Sequence, residues 1–380
     1  MEEIYLDNAA TTKTAPEVVE TINHALTTAY GNPSSLHDRG LEAEKLIKKA
    51  RNNLADELKV DSEDIYFTSG GTEANNLAIL GTSRALQNYG SRVITTKIEH
   101  PSVLNACKSL EDNFDVKYLD VDETGQIDLE QLEDYLTEST ILVSIMAVNN
   151  ELGTIQPLKK IAKLTNNHSN LQLHVDGTQA LAKIDLYPAR LGIDLYSISA
   201  HKIQGPKGVG ALYLAPNSKL DSIFRGSQQE QGIRPGTENV PGIAGLGTAV
   251  ELMATTEKQQ KIQQLKELLV TRILAEIDDS SLNGPNLKEG APHIANISFK
   301  GVKGEILVHS LAEDNIYVST GAACSSKRKD TNHVLEAIGL ESKLIAKTIR
   351  FSLSVNNTTA EINYVVDKLK EKVTMLRKIL

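Results

Sequence analysis

One of the chain's two cysteines, Cys324, stands in STGAACSSK (319–327) among alanine, serine and glycine, with Lys327, Arg328 and Lys329 just after it. A core cysteine is packed by large apolar neighbours, whereas small polar ones in a loop-like sequence suit a thiol that reacts. The adjacent cations favour the thiolate, the form that attacks. Cys107 reads the opposite way. Val103, Leu104, Cys107 and Leu110 recur at the spacing of a buried helix face, so Cys107 is expected to be a packed, inert thiol.

Three further segments carry chemistry. In FTSGGTEANN (67–76) a strand runs through Ser-Gly-Gly-Thr into a helix, a turn that points backbone N–H groups at an anion and lets it approach closely. A phosphate is the natural guest. The segment lacks the Lys-Ser/Thr ending of an ATP-type phosphate loop and is no dinucleotide fingerprint, so the phosphate belongs to something else. LHVDGTQA (173–180) and SISAHKIQGPKG (197–208) are strands whose ends turn polar, which places Asp176, Ser199, His201 and Lys202 where open α/β sheets bind ligands. An aspartate facing a pyridinium nitrogen and a lysine able to form a Schiff base are what pyridoxal phosphate requires. Last, KIEHPSVLNACKSL (97–110) sets His100 between a strand and a helix opened by Pro101. Its flat ring could stack on an aromatic cofactor and exchange protons, or it could simply cap the helix.

The elements that position these residues follow from the apolar pattern. DIYFTS (64–69), RVITTK (92–97), ILVSIMAV (141–148), LQLHVD (171–176), DLYSIS (194–199) and GVGALYL (208–214) are strand-like runs alternating with helical patterns, the mark of an α/β sheet. From about Gly242 to Ile277 the chain reads as one long helix-favouring stretch leading into a smaller α+β part, with strands at NISFK (296–300), NIYVST (315–320) and TIRFSLS (348–354). Thr358 and Glu361 form a capping box for the last helix.

The bulk numbers bound the function. A chain of 380 residues, 40% hydrophobic and 23% charged, is long enough for two domains and a large core. Its net charge of -9 argues against broad nucleic-acid binding, and no run is long and apolar enough to span a bilayer. MEEIYLDNAATT has neither the basic start nor the apolar middle of a secretory or organellar signal, so a cytoplasmic location is expected. Two cysteines make no disulfide framework, and the histidines lack metal-ligand spacing, so no metal is expected.

Taken in order, YLDNAATT (5–12), GNPSSLH (31–37), FTSGGTEANN, Glu99-His100, VNNELGTIQP (148–157), HVDGTQA, SAHKIQGPKGVGALY (199–213), RPGTEN (234–239), STGAACSS and IRFSLS resemble the cysteine desulfurases of the NifS/IscS-like group almost end to end. These are class-V aminotransferases of fold type I. The resemblance implies a large, mainly parallel-sheet domain over 13–257 that binds pyridoxal phosphate, and a small α+β domain of 1–12 and 258–380 carrying Cys324. By resemblance, Lys202 holds the cofactor, Asp176 pairs with its ring nitrogen and His100 stacks on the ring. Gln179 and Asn150, with Asn149 beside it as an alternative, contact the ring oxygen or the substrate. Gly71, Thr72, Ser199 and His201 hold the phosphate, and Thr237 reaches it from a second subunit of a homodimer. Arg350 clamps the substrate carboxylate with its fork of donors. The implied reaction turns L-cysteine into L-alanine and leaves sulfur on Cys324 as a persulfide for an acceptor protein, an iron–sulfur scaffold or a tRNA-thiolation enzyme. The sequence departs mildly from the pattern at Ser227-Gln228 and at Gly177, where alanine is common. An aminotransferase or lyase of the same fold would use Lys202 and Asp176 without needing Cys324.

Overall fold

The computed structural model describes residues 3–320 and 332–379. Cys324 and the basic run 327–329 lie outside the described residues. Seven strands form the large sheet, in the order Ile65–Thr68, Gly210–Leu214, Leu195–Ser199, Gln172–Asp176, Thr140–Met146, Arg92–Thr96, Asp115–Leu119. The pairings from Leu195–Ser199 across to Asp115–Leu119 are parallel, and Gly210–Leu214 runs antiparallel to both its neighbours. The central strands read as unbroken apolar runs because both faces are covered. Val143 and Ile145 join the core shared with the helices Asp38–Leu58 and Val240–Met253, while Leu142 faces the opposite cluster with Val103 and Cys107. The strand Asp115–Leu119 escapes the apolar pattern because it lies at the sheet edge, half-buried, with the charged Asp115 and Lys117 among its five residues.

The register aligns Met146 with Asp176 and Asp176 with Ser197, so neighbouring strands end in one row. Directly after Leu195–Ser199 the chain makes a single 3-10 turn, Ala200–Lys202, which delivers Lys202 to that row. A second body holds an antiparallel sheet of Ser280–Asn283, Ile294–Phe299 and Thr348–Ser352, with its own apolar core. The start of the chain belongs to this body. Ile4–Tyr5 pairs with Ile316–Tyr317, and Asp7 bridges to Ser352, which brings Asp7 beside the strand of Arg350.

The helix-favouring stretch from about Gly242 to Ile277 forms two helices, Val240–Met253 and Thr256–Glu276. Thr255 is extended at φ -133°, and its side chain accepts from the Lys258 N–H, an N-cap that starts the second helix. The break falls where the chain leaves one core for the other, since Met253 packs in the first and Ile262 in the second. The capping box stands as expected: Thr358 N–H donates to Glu361 Oε2 at 2.8 Å and Glu361 N–H to Thr358 Oγ1 at 3.2 Å.

Candidate functional site

Asp176, buried at the end of its strand, is held from two sides. Thr178 N–H donates to Oδ1 at 2.9 Å and Asn75 Nδ2 to Oδ2 at 2.8 Å. The same Asn75 amide donates to Ser102 Oγ at 2.9 Å, and that oxygen lies 2.8 Å from His100 Nδ1. Since His100 Nδ1 also accepts from the Ser102 N–H at 3.1 Å, Nδ1 carries no proton and the ring proton is on Nε2. A hydrogen-bonded line thus runs from Asp176 to the far side of the His100 ring. Burial lowers the His100 pKa below its ordinary value, Asp176 opposes the shift, and Lys202 and His333 add to it. The histidine is neutral at pH 7. Its side chain also caps the helix Pro101–Lys108, the second of the two roles weighed for it.

Lys202 Nζ donates to the carbonyls of Ala9 and Ala10 at 2.6 and 2.9 Å, so the AATT segment near the N-terminus forms one wall of the site. Opposite the strand ends lies a cradle. Gly70 has φ 152° and ψ -179°, a conformation essentially restricted to glycine. A Cβ on Gly71 would stand 2.9 Å from Thr178 Oγ1 and 3.4 Å from the Ser199 Cβ, so only glycine leaves this space open. Thr178 Oγ1 is buried and has no hydrogen-bond partner among the described residues. An anion oxygen in the cradle would supply one, and the set Gly71, Thr72, Thr178, Ser199 and His201 therefore fits a phosphate. His201 is neutral there: burial, then Lys202 and Lys207, push it down to about 4. Thr237 is exposed in the single chain.

Gln179 stands in a network that the sequence did not reveal. Its Oε1 accepts from Lys183 Nζ at 3.2 Å and from His293 Nε2 at 3.1 Å, and its Nε2 donates to the Ala9 carbonyl at 2.9 Å. Because a backbone carbonyl only accepts, Nε2 must face Ala9 and Oε1 must face Lys183, so the amide N–H groups are turned toward the wall that also holds Lys202. Burial pushes Lys183 down to about 7, with Lys202 adding to the shift. Asn149 is fully buried and structural. Its Nδ2 donates to the Ile98 carbonyl, and its Oδ1 accepts from the Glu151 and Leu152 N–H groups. Asn150 remains half-buried beside Arg350, whose Nη1 donates to its carbonyl at 3.1 Å. Arg350 itself is buried and also meets Glu151 Oε1 at 2.6 Å and Asp7 Oδ1 at 2.9 Å.

Asn75, Thr178, Lys183, Glu99 and Glu151 are the residues that sequence reasoning missed. Asn75 and Thr178 lie inside quoted motifs, but their partners are visible only in space. Glu99 is fully buried; its Oε1 accepts from Thr96 Oγ1 and Met146 N–H, both at 2.9 Å, and burial pushes its carboxyl up to about 8. Cys107 is the packed thiol expected, buried and pushed up to about 12 by burial and by Glu99.

Comparison with known proteins agrees with this geometry. The aminotransferase class-V family model matches residues 4–365. A cysteine desulfurase IscS of Dictyoglomus turgidum is 42% identical over 99% of this chain and 96% of its own length, and a cysteine desulfurase of a Nostoc species is 43% identical over 100% and 95%. Among solved structures, a NifS-like protein superposes with a TM-score of 0.92 at 35% identity, covering 98% of this chain and 100% of that one. The NifS-like protein of Rickettsia africae gives 0.88 at 32% identity, covering 98% and 100%. With a family match over nearly its whole length and relatives above 40% identity, the chain belongs to the aminotransferase class-V family, within the NifS/IscS-like cysteine desulfurases.

Proposed function

We propose that the chain is a pyridoxal-phosphate-dependent cysteine desulfurase that converts L-cysteine to L-alanine and keeps the sulfur on Cys324 as a persulfide. The observation that supports it best is the pairing of Asp176 and Lys202 at neighbouring strand ends with the glycine-lined cradle and its orphan Thr178 hydroxyl. Bound there, pyridoxal phosphate supplies an electron sink for the pair left when the substrate Cα–H bond breaks. Lys202 would hold its aldehyde carbon, and Gly71, Thr72, Thr178, Ser199 and His201 its phosphate, with Thr237 reaching over from a second copy. Asp176, fixed by Asn75 and the Thr178 N–H, would keep the ring nitrogen protonated, and the amide of Gln179 would contact the ring oxygen. His100 would stack on the ring, with its Nε2 proton available for transfer. Lys202 would carry the proton to and from the substrate Cα. Arg350 and Asn150 orient the substrate by its carboxylate.

The Cys324 thiolate then attacks the substrate sulfur. The Cβ–S bond breaks with its electron pair left on carbon, a proton completes L-alanine, and the new S–S bond is the persulfide. The sulfur passes to an acceptor protein, an iron–sulfur scaffold or a tRNA-thiolation enzyme, in the cytoplasm. Residues 13–257 would be the cofactor domain and residues 1–12 with 258–380 the smaller one.

The test is alanine release from L-cysteine by the loaded enzyme with added thiol, alongside Cys324→Ala and Lys202→Ala. Alanine formed by the unaltered enzyme and lost in both variants is the expected result. Alanine absent from the unaltered enzyme while the cofactor is bound would overturn the assignment and point to a lyase or transaminase.

A further inference from the structure

Arg350 carries one positive charge and already meets two carboxylates. Its Nη1 donates to Glu151 Oε1 and to the Asn150 carbonyl, and its Nη2 donates to Asp7 Oδ1. The Arg350 and Glu151 side chains are each only 7% exposed and that of Asp7 22%. The guanidinium is therefore over-neutralised before any substrate reaches it. An amino-acid carboxylate docking on Arg350 adds a third negative charge in surroundings where little water screens it.

We infer that Glu151 is a positioning residue for the substrate, holding Arg350 until an amino-acid carboxylate docks on the guanidinium and then taking up a proton to make room for that charge. Glu151 is the better candidate of the two acids because it is the more buried. Burial pushes its carboxyl up to about 6, Arg350 opposes the shift and Asp7 adds to it. Among the described residues, the groups facing it are Arg350 from the strand Thr348–Ser352, Asp7 from the N-terminal segment, and two neutral amides, Asn150 beside it and Asn332 ahead of the helix His333–Ala337. An arriving carboxylate has the same sign as Asp7 and raises the Glu151 pKa further. Docking is then strongest below pH 6, where the proton is already in place. It weakens as pH rises, by at most about tenfold per unit, until the raised pKa of the complex is passed.

The inference rests on Arg350 being the carboxylate clamp, and the experiment separates the two. The probe is 3-mercaptopropionate, which carries the carboxylate and thiol of cysteine but has no amine to displace Lys202. Its binding to the holoenzyme is measured by titration calorimetry from pH 6 to pH 8 in two buffers with different heats of ionisation. For the unaltered enzyme the Kd should rise about tenfold over that range, with roughly 0.6 of a proton taken up near pH 7. In Glu151→Gln the trend and the uptake that belong to Glu151 vanish, and the affinity at pH 8 matches the unaltered enzyme at pH 6. Other groups that titrate in this window, Lys183 among them, are common to both proteins and cancel in the comparison. A Glu151→Gln variant that keeps the original pH trend overturns the inference. So does an unaltered enzyme that takes up no proton, a result that needs no variant to fold. Arg350→Gln is the control. Binding lost there at every pH keeps the clamp and leaves Glu151 as the only question, whereas unchanged binding removes the clamp and this inference together.

Discussion

Tyr196 occupies the space that an alanine side chain at 177 would need. A Cβ built on Gly177 comes within 1.9 Å of the tyrosine Cζ and 2.3 Å of its hydroxyl, and the ring is fully buried in the strand next to Gln172–Asp176. The departure from the family pattern at Gly177 is legible in the sequence, but its cause is not, because the residue that fills the space lies 19 positions away. Gly177 sits between Asp176 and the Thr178–Gln179 pair, so any shift it suffers is passed to the proposed cofactor contacts. Gly177→Ala should cost about 1–3 kcal/mol of stability, the range for an overpacked core, and lower kcat with it. Combining it with Tyr196→Leu should cost less than the sum of the two single changes, as expected when one alteration relieves the clash made by the other. Urea denaturation of both singles and the double measures the coupling; strict additivity would show that ring and backbone do not compete.

The helix Pro101–Lys108 depends at its first turn on the residue proposed to face the cofactor. His100 is the N-cap at φ -63° and ψ 147°, accepting from the Ser102 N–H, with Pro101 at the first helical position. Asparagine also caps well but has no ring. His100→Asn should therefore keep the stability of the unaltered chain to within a few tenths of a kcal/mol, while His100→Ala loses about 1 kcal/mol more. Both should lose desulfurase activity. Thermal denaturation read beside alanine release separates the cap from the ring, and equal stability of the two variants would mean that the histidine does not support the helix. At this scale the sequence was informative where a local signal sufficed. Pro101 after a histidine, the Thr358–Glu361 box and the apolar central strands are all local. It was silent where the cause was distant. The break at Thr255 depends on which core each helix joins, and the edge strand Asp115–Leu119 has too little burial to leave an apolar pattern.

Across the whole molecule, the ends of parallel strands and the AATT segment near the N-terminus build a site beside which ionisable groups of both signs, Glu99 and Lys183 among them, are buried. The Asp176–Lys202 relation could be read from two motifs at strand ends. The supporting Glu99, Lys183 and His293 could not, since burial alone makes them unusual. Their effect on stability has opposite signs. Between an ordinary 4.5 and about 8, folded Glu99 keeps a proton that the unfolded chain has lost, so its contribution to stability falls as pH rises through that window. Between about 7 and an ordinary 10.5, the unfolded chain binds a proton that folded Lys183 does not, so that contribution rises with pH. These two groups together place a trough of stability near neutral to mildly alkaline pH. Glu99→Gln tests the first limb, because the amide is a neutral match for the protonated acid and still offers Oε1 to Thr96 and the Met146 N–H. Variant and unaltered chain should denature alike near pH 4.5. The variant should then gain on the unaltered chain by up to about 1.4 kcal/mol per pH unit until the gap levels off above pH 8. The rising limb from Lys183 is common to both proteins and cancels in the difference, so denaturation midpoints that stay parallel from pH 5 to pH 8 would show that Glu99 is ionised in the folded chain.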